Sequence, residues 1–310
     1  MSKRLFIFAG YDKLGRVDAT LTYYLRALSK LGDIVFVMDN DLPDSELAHI
    51  TQIPNVLYAK AQRHGEYDFG SYKRGYIWAR DEKIFDKYDW VYLVNDSVFG
   101  PVFDLKPVLM DLESRGADFI GMVYNTNPTM AAHIQSWFIG FNQKIISSDV
   151  FDEFITSVKH EREKSVIVFK YEIYLTQLLV QHGYKPYGLY HDTDAKMYTQ
   201  PAVVLQQGVP FIKKLSFQEN NKIQLLYSFL SPELIDNIIE YANKYGIALC
   251  SDEKFWTIPY HRAFRATLFG IPLLAIRRQV YKRNTAYKIY LFDVIPVMKL
   301  SFNSERGTDE

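Results

Sequence analysis

The chain has 310 residues, 48% hydrophobic and 15% aromatic, with 36 Lys and Arg set against 36 Asp and Glu. A chain of that length buries roughly 75% of its extended surface, enough for one large core and a smaller appendage, so a disordered polymer is excluded. Cys250 is the single cysteine, which excludes an intrachain disulfide and a Cys-rich zinc site and fits a reducing, cytoplasmic compartment.

Met1-Ser2-Lys3-Arg4 before Leu5–Ala9 has the outline of a secretion signal, but the apolar run is only five residues long and meets Gly10-Tyr11-Asp12 at once. Such a run is too short for a signal core of roughly 7–15 residues and reads as a strand buried on both faces. Asp18 caps a helix with the stripe Leu21, Tyr24, Leu25, Leu28 and Leu31, closed by Gly32. Further strands are expected at Ile34–Met38, Asn55–Ala59, Trp90–Val94 and Asp118–Val123. Helices are expected near Asp44–Thr51, from about Ser71, and over Leu105–Arg115. That alternation predicts a mostly parallel α/β sheet covered on both faces, with ligands held at the strand C-termini.

The middle of the chain predicts an aromatic strand at Ser136–Phe141 and helices around Val150–Val158 and about Lys170–His182. A strand at Tyr184–Tyr190 follows. Ser231-Pro232-Glu233 is a helix start, with Ser as cap and Pro in the first turn. From there the chain is expected to be mainly helical and basic, so residues 1–228 and 229–310 are expected to be separate units. No Asp or Glu occurs from Phe255 to Phe292, while Arg262, Arg265, Arg277, Arg278, Lys282, Arg283 and Lys288 do. This suits either a helix on an anionic membrane surface or a solvated face packed on the rest of the protein. The neutral total charge and the lack of a recognised fold speak against nucleic acid. The longest apolar run, Ala266–Ile276, is broken by Gly270 and Pro272 and falls short of the ~20 residues that span a bilayer.

Two clusters carry candidate chemistry. Asn95-Asp96-Ser97 follows a buried strand, where a carboxylate binds a divalent cation or ribose hydroxyls, or else caps the turn into Gly100-Pro101. His64-Gly65-Glu66-Tyr67-Asp68-Phe69-Gly70-Ser71-Tyr72-Lys73-Arg74 places glycines and two cations ahead of a helix. This is either a phosphate-binding start or an ordinary surface loop.

The second cluster, together with Leu93-Val94-Asn95-Asp96-Ser97-Val98-Phe99-Gly100-Pro101, resembles the hallmark motifs of the rhamnan synthesis F family. His133-Ile134-Gln135-Ser136-Trp137-Phe138 and Tyr171-Glu172 support the resemblance, which covers about residues 1–215. It implies a GT-A-like (Rossmann-like) glycosyltransferase. The implied reaction moves rhamnose from thymidine-diphosphate-rhamnose, with inversion, onto a cell-surface polysaccharide or its lipid-linked precursor. By the same resemblance Asp12 meets the nucleotide and Tyr11 either stacks on its base or closes the core, while Asp68, Gly70, Ser71, Lys73, Arg74, Asn95, Asp96 and Ser97 form the donor site, Asp96 being also a catalytic residue. Glu172, at a helix start, is then either the general base, with Asp152 and Glu153 as competitors, or an ordinary first-turn acid favoured by the helix dipole, and Lys170 is a further phosphate contact. Such enzymes usually carry Asp-x-Asp where this chain has Asn95-Asp96-Ser97. A Mg or Mn ion would therefore rest on Asp96 with His191, or His191-Asp192-Thr193-Asp194 is a plain polar loop. Trp137 is either an acceptor platform or core. Two alternatives stand beside the rhamnosyl reading: transfer of another nucleotide sugar, and a catalytically silent subunit of a polysaccharide-assembly complex.

Overall fold

The structure, a computed structural model, describes residues 2–216 and 229–247 in full. It also describes the backbone of the strands His261–Leu268, Ile271–Tyr281, Asn284–Leu291 and Ile295–Asn303. The chain divides into two compact units, Met1–Ser216 and Phe217–Glu310. The boundary expected after residue 228 lies at the end of a stretch outside the described residues.

The first unit is built on β1 (Arg4–Gly10), β2 (Asp33–Met38), β3 (Val56–Ala61), β4 (Trp90–Asn95), β5 (Val98–Phe99), β6 (Phe119–Asn125), β7 (His133–Ile134), β8 (Phe138–Asn142), β9 (Pro186–Asp192) and β10 (Ile212–Lys213). Eight of these form one sheet in the order β3-β2-β1-β4-β8-β6, with β7 and β9 both paired to β6. β3, β2, β1 and β4 run parallel, as do β6 and β9. β8 enters antiparallel between β4 and β6. The sequence pattern marks β8 as a strand but carries no sign of its direction, which depends on the partners it finds.

Helices cover both faces, so β1 is buried along its whole length. Phe6 and Phe8 pack on one side with Tyr24, Leu25 and Leu28 of α1 (Ala19–Ser29), which Asp18 caps through the Leu21 N–H. Leu5, Ile7 and Ala9 pack on the other side with Phe69, Tyr72 and Tyr76 of α3 (Tyr67–Asp81). Gly75 lets α3 lie close against the sheet, because a Cβ there would stand 2.5 Å from Ile7 Cγ2. The expected helices at 44–51 and 105–115 are α2 (Asp44–Thr51) and α4 (Leu105–Glu113). Next come α5 (Gln143–Ile146) and α6 (Asp149–Thr156). A continuous helical run then comprises α7 (Lys164–Ile167), a π-helical turn (Val168–Ile173) and α8 (Tyr174–Gln181). The short helices α9 (Lys196–Thr199) and α10 (Pro201–Gln206) lead to β10, which pairs with β5.

One buried ion pair ties the start of the sheet to α4. Arg4 donates to Glu113 from Nε at 2.5 Å and from Nη2 at 2.7 Å, and Tyr92 Oη donates to the same carboxylate at 2.7 Å. Arg4 is 2% exposed. Glu113→Ala strands that guanidinium, and a loss of about 3–5 kcal/mol is expected in urea unfolding. A change below about 1 kcal/mol would show that water replaces the carboxylate.

In the second unit, α11 (Pro232–Tyr245) starts as expected, with Ser231 accepting from the Leu234 N–H and Pro232 in its first turn. The helical extension expected beyond it is corrected. Residues 261–303 form β11 to β14, the four strands named above in chain order, paired as an antiparallel meander. β-Branched and aromatic residues recur along this stretch, and they favour strands. The register sets Arg262 beside Arg277, Arg277 beside Lys288 and Lys288 beside Lys299, while Phe264, Ile276, Ile289 and Met298 form the neighbouring row. Among the described residues no helix is long and apolar enough to cross a membrane.

Candidate active site

The strand order reverses between β1 and β4, since β2 and β3 lie on one side of β1 and β4 on the other. Crossovers that diverge in this way leave a crevice at the strand C-termini. Two loops close on each other there. The Tyr11 N–H, just past β1, donates to Asp96 Oδ2, just past β4, at 3.0 Å, and the Asp96 N–H donates to Ala9 O at 3.3 Å. The cleft they bound holds about 450 Å³, a size that suits a small ligand. Its walls include Tyr11, Asp39, Arg63, Asp68, Asp96, Ser97, His160, Arg162 and Lys164.

The loop after β3 is held rigidly against the end of β2. Asp39 Oδ1 accepts from the N–H groups of His64 at 2.6 Å and Gly65 at 2.9 Å, and Arg63 pairs with Asp39 Oδ2 at 2.9 Å. Burial, helped by Arg74, lowers the His64 pKa to about 4, so the imidazole is neutral. Its Nδ1 accepts from the Glu66 N–H at 3.0 Å, which leaves Nε2–H to donate to Ser71 Oγ at 3.0 Å.

One group on the cleft wall, Asp68, and one buried behind it, Lys213, carry unusual protonation. Burial, reinforced by the charge of Asp96, raises the Asp68 pKa to about 7 against the pull of Lys213 and Lys164. Burial lowers the Lys213 pKa to about 7 although Glu172, Asp68 and Asp96 favour its charge. Lys213 Nζ donates to Ser97 Oγ at 3.0 Å and lies 4.9 Å from the centre of the Trp137 ring. Asn95 links the two groups, donating to Asp68 Oδ2 at 2.8 Å while its Oδ1 accepts from Ser97 Oγ at 2.6 Å. Perturbed acids and bases gathered at a cleft mark a functional site.

A family profile described as rhamnan synthesis protein F matches residues 34–257. The chain belongs to the rhamnan synthesis protein F family. An uncharacterized protein of Sinorhizobium fredii, y4gN, is 22% identical over 196 residues, or 63% of this chain and 50% of that protein. The chain therefore spans about half the length of the curated relative it matches. Among solved structures, a glycosyltransferase involved in glycosylation of the major capsid of PBCV-1 is 12% identical, with a TM-score of 0.35 over 68% of this chain and 92% of that one. Core-mannan synthase A of Aspergillus fumigatus, in its Mn/GDP form, is 10% identical with a TM-score of 0.33 over 58% and 69% of the two chains. At scores this low neither structure bears on the chemistry of this family member.

Of the residues expected from the sequence, Tyr11, Asp68, Asp96 and Ser97 line the cleft. Asn95, 2% exposed, stands behind them. Asp12 orders its own turn, its Oδ1 accepting from the N–H groups of Leu14 at 2.8 Å and Arg16 at 3.1 Å. Gly70 and Ser71 lie buried inside α3. Gly70 is required by the first turn of α3, because a Cβ there would meet Glu66 Cβ at 2.2 Å. Lys73 and Arg74 are committed to Glu66, at 2.7 and 2.8 Å, and neither lines the cleft. Burial would raise the Glu66 pKa, but Arg74 and Lys73 outweigh it and hold it at about 2. Lys170 likewise pairs with Glu161. Asp152 pairs with Arg80 at 2.9 Å outside the cleft.

Glu172 departs from its expected position. The helical run begins eight residues earlier, at Lys164, so Glu172 sits in the π-helical turn rather than at a helix start. Its carboxylate accepts from Ser136 N–H at 2.8 Å and from Ser136 Oγ, and His133 Nε2 stands 3.6 Å away. Burial alone would raise its pKa, but His133 and Ser136 outweigh it and hold the carboxyl below its usual range. Trp137 is 2% exposed, with Nε1–H donating to Gln135 at 2.7 Å, and belongs to the core. His191 is exposed on β9 with its ring against Tyr124, and Asp192 caps α9 through the N–H groups of Lys196 and Met197. Among the described residues no group of three or more His, Cys, Asp or Glu is arranged to hold a metal ion.

The sequence reading missed Asp39, Arg63, Arg162, Lys164 and Lys213. Asp39 and Arg63 follow the strands β2 and β3, the same signal that marked Asp96. Lys213 stands after the apolar run Val209–Ile212 with no periodic feature to single it out.

Proposed function

We propose that this chain is a GT-A-type glycosyltransferase that moves a sugar from a nucleoside diphosphate onto a growing polysaccharide, with inversion. The crevice closed by Tyr11 and Asp96, lined by acids and Lys164 and held at a strand-order reversal, carries this reading, and family membership supports it. The family's description supports rhamnose as the sugar. Thymidine diphosphate as its carrier is part of the proposal.

In the transfer, a carboxylate takes the proton of an acceptor hydroxyl, and that oxygen bonds to the anomeric carbon. The bond from that carbon to the diphosphate oxygen breaks, and its electron pair leaves on the diphosphate. Asp68 suits the proton transfer best, because it lines the cleft and a base works best with a pKa near the working pH. Glu172 is the second reading, favoured by its place in the same electrostatic cluster as Asp68 and Lys213.

Titration with thymidine diphosphate and uridine diphosphate, each with and without Mn²⁺, tests the proposal. Binding of thymidine diphosphate is the expected result, and transfer of rhamnose from its thymidine-diphosphate donor to a glycan acceptor completes it. If neither nucleotide binds under any condition, the enzyme reading fails and the silent assembly subunit takes its place.

A lipid-linked acceptor belongs to the same proposal, with the second unit meeting an anionic membrane surface. The register positions of Arg262, Arg277, Lys288 and Lys299 in one cross-strand row support this. Like charges set side by side oppose pairing unless an anion answers them. Each basic residue near such a surface contributes about 1 kcal/mol. The full chain is expected to sediment with phosphatidylglycerol vesicles at low salt, and Arg277→Glu with Lys288→Glu to reduce this at least tenfold. Equal sedimentation with neutral vesicles would refute an electrostatic contact.

A further inference from the structure

Ser97 stands where the resembled glycosyltransferases usually carry the second acid of Asp-x-Asp, and the groups around it do not fit a divalent cation. Its hydroxyl donates to Asn95 Oδ1 at 2.6 Å, so its lone pairs are directed elsewhere, and the ammonium of Lys213 meets them at 3.0 Å. A cation ligated by Ser97 and Asp96 would sit within a few ångströms of that ammonium, where like charges in a poorly hydrated site repel strongly. His191, the other expected ligand, does not line the cleft.

We propose that Lys213 takes the place of the metal ion: its ammonium binds the diphosphate of the donor and answers the charge that gathers on the departing diphosphate. This rests on the glycosyl-transfer reading above. The geometry holds the amine firmly. Lys213 pairs with Val98 through the β10–β5 ladder, one residue beyond Ser97, and the Lys214 N–H donates to Ser97 O at 2.9 Å. The backbone on both sides of the Ser97–Lys213 contact is therefore fixed. The rings of Trp137 at 4.9 Å and Tyr198 at 5.9 Å face the amine and stabilise a cation while excluding water. Lys213 is 7% exposed and does not itself wall the cleft; it stands directly behind Ser97, which does, and its amine reaches the cleft at that contact. A preorganised charge in a dry site acts on a developing anion without reorganisation cost. The alternative is that Lys213 only balances Asp68, Asp96 and Glu172, in which case it is indifferent to phosphate.

Calorimetric titration of the full chain with thymidine diphosphate and with thymidine, in EDTA and then in Mn²⁺, separates these. The wild type is expected to bind the diphosphate in EDTA. Lys213→Met is expected to lose affinity for the diphosphate at least tenfold, on the usual scale of a hydrogen bond to a charged group, with thymidine affinity unchanged. Lys213→Arg should retain most of it. Ser97→Asp, which sets a carboxylate against the amine, is expected to lose diphosphate affinity in EDTA and recover it with Mn²⁺. That variant decides the matter if Lys213→Met does not fold. Diphosphate binding by the wild type that requires Mn²⁺ would overturn the proposal and leave glycosyl transfer standing, as would equal loss of thymidine and thymidine diphosphate by Lys213→Met. Failure of the wild type to bind either thymidine diphosphate or uridine diphosphate, with or without Mn²⁺, would refute the glycosyl-transfer reading itself.

Discussion

Asp68→Asn is expected to lower turnover by about 10²–10⁴-fold while leaving thymidine diphosphate affinity within a few-fold of wild type, the usual cost of a lost general base. The amide keeps the shape of the carboxyl, and its oxygen can still accept from Asn95, so the loop after β3 should hold its place. The pH profile provides an independent check. Asp68 faces Asp96, Glu172, Lys164 and Lys213, and Lys213 and Asp68 both titrate at about 7. The wild-type kcat/KM should rise as Asp68 ionises and fall as Lys213 loses its proton, a bell centred near pH 7 whose limbs belong to the coupled pair. If Glu172 is the base, no acid limb lies near 7, because its carboxyl is already ionised well below that pH. Glu172→Gln then becomes the variant with the large loss. Stability supplies a third reading with a definite sign. The folded pKa of Asp68, about 7, lies above its unfolded value of about 3.9, so its ionisation opposes folding as pH rises between them. Asp68→Asn should therefore melt higher than wild type at pH 8, and the two should converge below about pH 4. A variant that turns over normally would remove Asp68 from the reaction.

Much of this architecture is legible in the residues. Leu5–Ala9, Ile34–Met38 and Trp90–Val94 read as strands because a strand buried on both faces is apolar without interruption, and their C-termini point to Asp96 for the same reason. What escaped depends on partners distant in sequence. The direction of β8 is settled by β4 and β6 rather than by Phe138–Asn142 itself. The run His160–Lys164 is charged and loop-like, which hid the true start of the helix at Lys164 and made Glu172 look like a first-turn acid. Lys73 and Arg74 lie seven and eight residues after Glu66, beyond the three- and four-residue spacing of ordinary helical ion pairs, so their pairing with Glu66 was not legible in the sequence. In the second unit, Arg and Lys set among apolar residues fit either period over short stretches. The pairing of Arg277 with Lys288 and of Ile276 with Ile289 shows that period two governs there. Lys213 was not legible, because the groups around it, Ser97, Trp137 and Asp68 among them, lie far from it in sequence.

Asp96→Ala carries the other large effect. The carboxylate is half-buried, lines the cleft and fixes the Tyr11 loop through one main-chain hydrogen bond. Burial raises its pKa while Lys214 and the Tyr11 N–H oppose that shift, so ionising it costs folding free energy that a purely structural residue would have no reason to retain. Removing it should cut nucleoside diphosphate affinity about tenfold or more and turnover at least 10²-fold, the scale of a lost charge-assisted hydrogen bond followed by a misplaced donor. The freed Tyr11 N–H lies beside an exposed side chain and can turn to water, so urea unfolding should show little loss of stability. The variant should also act at a distance. The charge of Asp96 is, after burial, the main influence raising the Asp68 pKa. With that charge gone, Asp68 ionises more readily and the acid limb of the residual activity should move to lower pH. An unmoved limb would mean that the two carboxylates do not share one field, and full activity in the variant would remove the strand-end crevice from the reaction altogether.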